Sequence, residues 1–119
     1  MISNPVGAEV VVAETEVFNA AGPGAGFHDL NLSAVIGARP AFVSIKCYNP
    51  DVASRIFLFR ANGEVEFAPV DNTMSPGCKS ALATAWCVII GHTDNNGIIE
   101  WYTSAVGNVT LDVIAYVRQ

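Results

Sequence analysis

Two histidines, three cysteines and eleven carboxylates are the residues of this 119-residue chain whose chemistry extends to proton transfer, metal binding or nucleophilic attack. A metal needs three or four converging ligands, whereas His28 and His92 each have one carboxylate nearby in sequence, Asp29 and Asp94 respectively. Both histidines bound apolar runs and read as strand-end residues that hydrogen-bond locally. Ser33, Ser80 and the cysteines sit in no nucleophile motif; G-x-S-x-G, HExxH, the P-loop and GxGxxG are all missing. Glu14/Glu16 and Glu64/Glu66 stand at i and i+2, the spacing that puts two carboxylates on one strand face as an acid/base pair requires. Short, turn-adjacent strands make them a solvated polar face instead. Asp94-Asn-Asn-Gly97 lacks the alternating acids and downstream Glu of a calcium loop and reads as a turn. The expectation is a protein without enzymatic activity, cofactor or bound metal.

Composition narrows the partners. Six basic residues, Arg39, Lys46, Arg55, Arg60, Lys79 and Arg118, are scattered against eleven acids, for a net charge of -5. Phosphate neutralisation needs clustered cations, so neither nucleic acid nor an anionic membrane is expected. No apolar run approaches the ~20 residues of a spanning helix, and no basic segment precedes an apolar stretch at the start as in a signal peptide. The chain therefore reads as soluble. Cys47, Cys78 and Cys87 form an odd set without CxxC spacing and read as reduced thiols of a protein folded in a cytosol. Without a secretory route, the sequons at Asn31 and Asn108 carry no meaning. Hydrophobic residues make up 51% and charged ones only 14%, well below the usual share of roughly 25%. That leaves too little charge to cover a monomer, so some apolar surface is expected to meet another protein.

These residues must be positioned by strands, because apolar residues alternate or run briefly between Gly, Pro, Asn and Asp breaks about ten residues apart. Strands are expected at Glu9–Asn19, Phe27–Leu32, Ala41–Asn49, Arg55–Arg60, Glu64–Phe67, Ala81–His92, Gly97–Thr103 and Asn108–Arg118. Asn62-Gly63 is a hairpin turn, Asn49-Pro50-Asp51 another turn, and 71–77 a surface loop. The fold class is all-β: a single antiparallel sandwich over 1–119, jelly-roll-like, of about eight strands, with 1–8 a candidate extended arm.

Face analysis supplies the candidate binding residues. In the last strand Val109, Leu111, Val113, Ala115 and Val117 form a core face, yet the opposite face still carries Ile114 and Tyr116. Phe57 and Phe59 oppose Ile56 and Leu58, and Ile98 and Tyr102 oppose Ile99 and Trp101. Two readings fit: strands buried on both sides within one chain, or a subunit interface with Phe57, Phe59, Ile98, Tyr102, Ile114 and Tyr116 as its residues. A glycan site is the other option, with Trp86 or Trp101 stacking on a sugar ring beside Asn95 and Asn96 at one end of the sandwich.

The segments Asp29-Leu-Asn-Leu-Ser-Ala-Val-Ile-Gly-Ala38, Ala41-Phe-Val-Ser-Ile-Lys46, Phe57-Leu-Phe-Arg-Ala-Asn-Gly63, Gly97-Ile-Ile-Glu-Trp-Tyr102 and Val109-Thr-Leu-Asp-Val-Ile-Ala-Tyr-Val117 resemble small β-sandwich structural proteins of tailed bacteriophages. Those are virion components of the capsid-decoration or head- and tail-fibre knob type. The resemblance covers about two thirds of the chain, from Asp29 onward, and rests on core positions and the Asn62-Gly63 turn. It transfers no catalytic residue. It implies a homotrimer that binds the major capsid protein or another virion protein, assembled in the bacterial host cytoplasm. No clear counterpart exists for residues 1–20.

Overall fold

In a computed structural model, which describes residues 9–63 and 78–118, the chain forms eight strands and one helical turn. The elements are β1 (Glu9–Ala21), β2 (His28–Asn31), α1 (Ser33–Ile36), β3 (Ala41–Tyr48), β4 (Arg55–Ala61), β5 (Cys78–Ala81), β6 (Trp86–His92), β7 (Ile98–Thr103) and β8 (Asn108–Arg118). They make two four-stranded sheets, β1-β8-β3-β6 and β2-β7-β4-β5. First pairs with last throughout: β1 with β8, β2 with β7, β3 with β6 and β4 with β5, all antiparallel. That nesting is the strand order of a jelly roll, so the all-β sandwich expected from the turn spacing is the fold.

The core lies between the sheets. Val43, Ile45 and Cys47 of β3, Cys87 and Ile89 of β6, and Val109, Leu111 and Val113 of β8 face Phe57, Phe59, Ile99 and Trp101 of the second sheet. Trp101 is 1% exposed and meets Phe18 of β1 edge-on, ring centroids 4.9 Å apart. Gly91 has no side chain because Ile99 and Phe59 fill the space a Cβ would take.

Two aspartates tie the ends of the sandwich. At one end Asp51 accepts hydrogen bonds from Arg55 Nε at 2.8 Å and from the Val106 and Gly107 amides at 2.9 and 3.0 Å. The buried Asn49 beside it donates to the carbonyls of Ala53 and Leu82, and the Thr84 amide donates to the Asp51 carbonyl. The β3–β4, β5–β6 and β7–β8 loops are thereby joined, and Gly22 of the β1–β2 loop donates to the Gly107 carbonyl. At the other end Asp94 accepts from Asn62 Nδ2 at 2.7 Å and from the Asn96 and Ile98 amides, closing the β6–β7 turn onto the turn after β4.

Three features depart from the sequence reading. The strand expected over Ala81–His92 is interrupted at 82–85, where Asn49 and Asp51 capture the backbone of a segment with no Gly, Pro or Asn to announce a turn. The turn α1, which was not expected, starts where Asn31 Oδ1 accepts the Ser33 amide and stops at Gly37, whose φ of 86° suits glycine. The face assignment of β8 holds from Val109 to Val113 and then inverts. Ser44 pairs with Ala115 while Ile45 pairs with Val113, so a bulge at Ile114 moves every later side chain to the other face. Tyr116 turns into the core, its hydroxyl donating to the Val35 carbonyl at 3.2 Å, and Ala115 and Val117 turn outward. The expected strand Glu64–Phe67, the loop 71–77 and the arm 1–8 lie outside the described residues.

Candidate docking face

Alternation on β3 and β6 sends Phe42, Ser44, Lys46 and Tyr48, and Trp86, Val88, Ile90 and His92, to the outer side of the sheet β1-β8-β3-β6. Phe42 is 50% exposed, Trp86 47%, Val88 49% and Ile90 67%. Large apolar side chains half in water, side by side on one sheet, are the informative deviation from an ordinary surface. Cross-strand register explains their contacts: Phe42 lies against His92 with rings 4.7 Å apart, and Tyr48 against Trp86 at 4.8 Å. Between Phe42, Ser44, Ile90, Ala115 and Val117 runs a shallow, open groove of about 170 Å³. Small-molecule sites are deeper, roughly 300–1,000 Å³, with a few converging polar groups. This surface suits a broad, flat contact.

The charges of this sheet cluster on its β1 side. Lys46 Nζ meets Glu14 Oε1 at 2.9 Å and lies 4.4 Å from the centre of the Trp86 ring. Asp112 pairs in register with both Glu16 and Lys46, is buried, and has no hydrogen-bond partner for Oδ1 among the described residues. Burial, then the neighbouring Glu14 carboxylate, pushes the Asp112 carboxyl above its ordinary range. The Lys46 ammonium draws Glu14 below its own range, and Glu14 in turn raises Lys46. On the outer face of the other sheet Arg60 Nε donates to Glu100 at 2.7 Å, and its guanidinium covers Phe27 at 3.9 Å.

The sequence-derived candidates divide on these positions. Phe57, Phe59 and Tyr116 are buried inside the sandwich at 0%, 3% and 8% exposure, so their side chains are not surface groups. Of the two readings of doubly apolar strands, burial within one chain describes β4, where Phe57, Leu58 and Phe59 are all enclosed. Ile98 and Tyr102 are half-buried on β7, Tyr102 lying near Phe27, and Ile114 is half-buried at the β8 bulge. The glycan candidates are not brought together. Trp101 is enclosed in the core; Trp86 opens β6 and the exposed Asn95 and Asn96 follow its far end, roughly 20 Å along a seven-residue strand.

His28 contacts the Ala25 carbonyl at 3.1 Å, a local strand-end bond, and His92 sits on the opposite sheet. Among the described residues no group of three or more His, Cys, Asp or Glu converges on a metal position. Cys47 and Cys87 are register partners, buried and not joined by a disulfide; the contact with Cys87, followed by burial, raises the Cys47 thiol far above its ordinary range. Sequence reasoning missed Phe42, Val88 and Ile90. The signal was present in β6, whose uncharged Trp86-Cys-Val-Ile-Ile-Gly-His92 keeps apolar residues at alternate positions on both faces.

No family model matches the chain, and no curated protein matches it. Among solved structures, the coat protein of tobacco streak virus is similar over 100% of this chain and 90% of its own, with a TM-score of 0.45 and 9% identity. The strand order described above defines the class of protein, an antiparallel jelly-roll sandwich.

Proposed function

We propose that this chain is a non-enzymatic structural protein of a virion, binding the surface of an assembled shell through the outer face of β1-β8-β3-β6. The observation that carries this reading is the row of half-exposed Phe42, Trp86, Val88 and Ile90 beside a shallow apolar groove. Such a surface gains from flat protein contact and offers no enclosure for a substrate. The finer assignment is a capsid decoration or head-fibre protein of a tailed bacteriophage, acting on the major capsid protein as a homo-oligomer and assembled in the host cytoplasm. It rests on the resemblance carried by the segments from Asp29 onward. Ile98, Tyr102 and Ile114 remain candidate contacts in that assembly. Decoration needs no chemistry: binding the assembled state alone stabilises the shell by mass action.

The test is co-sedimentation with undecorated shells of the encoding phage. Phe42→Glu is expected to abolish binding, while Val52→Glu, at a 92% exposed position of the β3–β4 loop, leaves it intact. Equal binding by both variants overturns the assignment of the face, and no binding by the unaltered protein overturns the function.

A further inference from the structure

We infer that β6 is an edge through which two copies of this chain pair, antiparallel about a two-fold axis at Ile89, joining their β1-β8-β3-β6 sheets into one of eight strands. This rests on the backbone of β6, and its seam shares Trp86, Val88 and Ile90 with the docking face proposed above. Thr93 donates its amide to the Ala41 carbonyl and Asn49 donates to the Ala85 carbonyl, so the odd-numbered residues of β6 form the hydrogen-bonded pairs with β3. The amides and carbonyls of Trp86, Val88, Ile90 and His92 therefore point away from β3. Among the described residues no strand lies beyond them.

A sheet edge with unpaired donors and acceptors is a template for another strand unless something blunts it. Each of the other three edges is blunted. Register shifts break β1 at Val12/Thr15 and Glu16/Phe18, and it carries Glu9, Glu14 and Glu16. Both β2 and β5 are four residues long and contain Asp29 and Lys79 respectively. By contrast β6 spans seven residues, pairs with β3 without a register shift, and contains no charge and no proline.

The occupant is a second copy because β6 complements itself. About an axis at Ile89, Val88 faces Ile90 and Trp86 faces His92, each pair exchanging two backbone bonds, for about eight in all. β-branched and aromatic cross-strand pairs are the favourable ones, and no like charges meet. Trp86, Val88 and Ile90 expose about 300 Å² of apolar side chain per copy on the outer side of the sheet, and pairing covers the flanks that face the seam. With the covered backbone the two copies bury less than roughly 1,000 Å², below the range of a standard interface. A dimer that forms and dissociates with concentration follows. The trimer implied by the phage resemblance has a different symmetry, so mass separates the two.

The experiment is light scattering on a sizing column from 1 to 200 µM in reductant, with amide hydrogen exchange on the same samples. The unaltered protein is expected to approach twice 12.6 kDa as concentration rises, with slow exchange at the Ile90 amide in the dimer. Val88→Pro removes an outward amide without touching the β3 ladder, and Val88→Lys sets like charges near the axis at a position already half exposed; both are expected to stay monomeric and folded. Phe42→Glu lies on β3, one strand in from the seam, and leaves the outward amides and carbonyls of β6 in place, so it should still dimerise. A monomer at 200 µM, a three-fold mass, or a dimer unchanged in both Val88 variants overturns the proposal. So does a monomer with a protected Ile90 amide, which would mean that the chain covers its own edge. Loss of shell binding by Phe42→Glu in a protein that still dimerises separates this contact from the docking face.

Discussion

Replacing Asp51 with alanine removes the acceptor that holds the β7–β8 loop to the turn between β3 and β4. Three donors lose it. The Val106 amide is on an exposed residue and water replaces the bond at little cost. The Gly107 amide is partly buried, and an unsatisfied donor there costs about 1–2 kcal/mol. Arg55 is 31% exposed, so loss of its 2.8 Å pair adds about 0.5–1 kcal/mol after solvent screening. The variant should lose about 1.5–3 kcal/mol, which at this chain length lowers the melting midpoint by about 6–12 °C. Urea titration and scanning calorimetry at pH 7 measure it, with Asp51→Asn, which keeps one acceptor oxygen, falling between the two. The pH dependence has a fixed sign. The Val106 amide, with Arg55 and Gly107, holds the folded carboxyl below its ordinary range, so the folded state binds fewer protons than the unfolded one. The gap between wild type and Asp51→Ala is therefore full above the ordinary carboxylate range and closes as pH falls through the depressed folded value. A loss under about 0.5 kcal/mol at pH 7, the scatter of a neutral surface change, would refute the role of Asp51 as a tie between loops.

Trp101→Ala, which empties a fully enclosed site, should cost about 3–5 kcal/mol in urea denaturation, and Trp86→Ala about 1 kcal/mol or less although the residue type is the same. In a Cys78→Ser background, Cys47 and Cys87 should resist a thiol-specific chromogenic reagent in the folded protein and react once denatured, since both are buried and the contact with Cys87, followed by burial, suppresses the Cys47 thiolate. Asp112→Asn should raise the thermal midpoint at pH 7, with the gain vanishing toward pH 3: the folded carboxyl binds its proton more tightly than the unfolded one, so wild-type stability falls as pH rises through the carboxylate range.

The sandwich was legible because turn chemistry and alternation agree along most of the chain. Asn62-Gly63 forms the turn that its residues demand, with Gly63 at a φ of 86°, and Val43, Ile45 and Cys47 face the core as their alternation requires. What sequence could not reveal was decided by contacts across the fold. Nothing in Leu82-Ala-Thr-Ala85 breaks a strand; Asn49 and Asp51, more than thirty residues earlier, do so by taking its backbone hydrogen bonds. Strict alternation put Tyr116 outside and Val117 inside. The bulge at Ile114 reverses both, and a bulge depends on the partner strand's register, which a local pattern does not encode. Alternation likewise does not say which doubly apolar strand is enclosed: Phe57, Leu58 and Phe59 of β4 are buried, while an exposed apolar row lies on β3 and β6.

The low charge content acquires a location once the ion pairs are placed. Lys46, Arg55 and Arg60 bind Glu14, Asp51 and Glu100, so half of the chain's six cations connect strands and loops rather than cover a surface. In the middle of β3 the outward Ser44 and Lys46 alternate with the buried Val43, Ile45 and Cys47, while Phe42 and Tyr48 at its ends put apolar groups on the same side. On β6 the inward residues Cys87, Ile89 and Gly91 already satisfy the core, Gly91 by leaving room for Ile99 and Phe59. The core therefore does not require Val88 and Ile90 to be apolar. Each exposes about half or more of its side chain, so a polar residue there would leave the sandwich intact while removing surface that water disfavours. The packing of the described residues thus gives no reason for those two side chains to be apolar, and they stand beside a backbone edge that no other described strand covers.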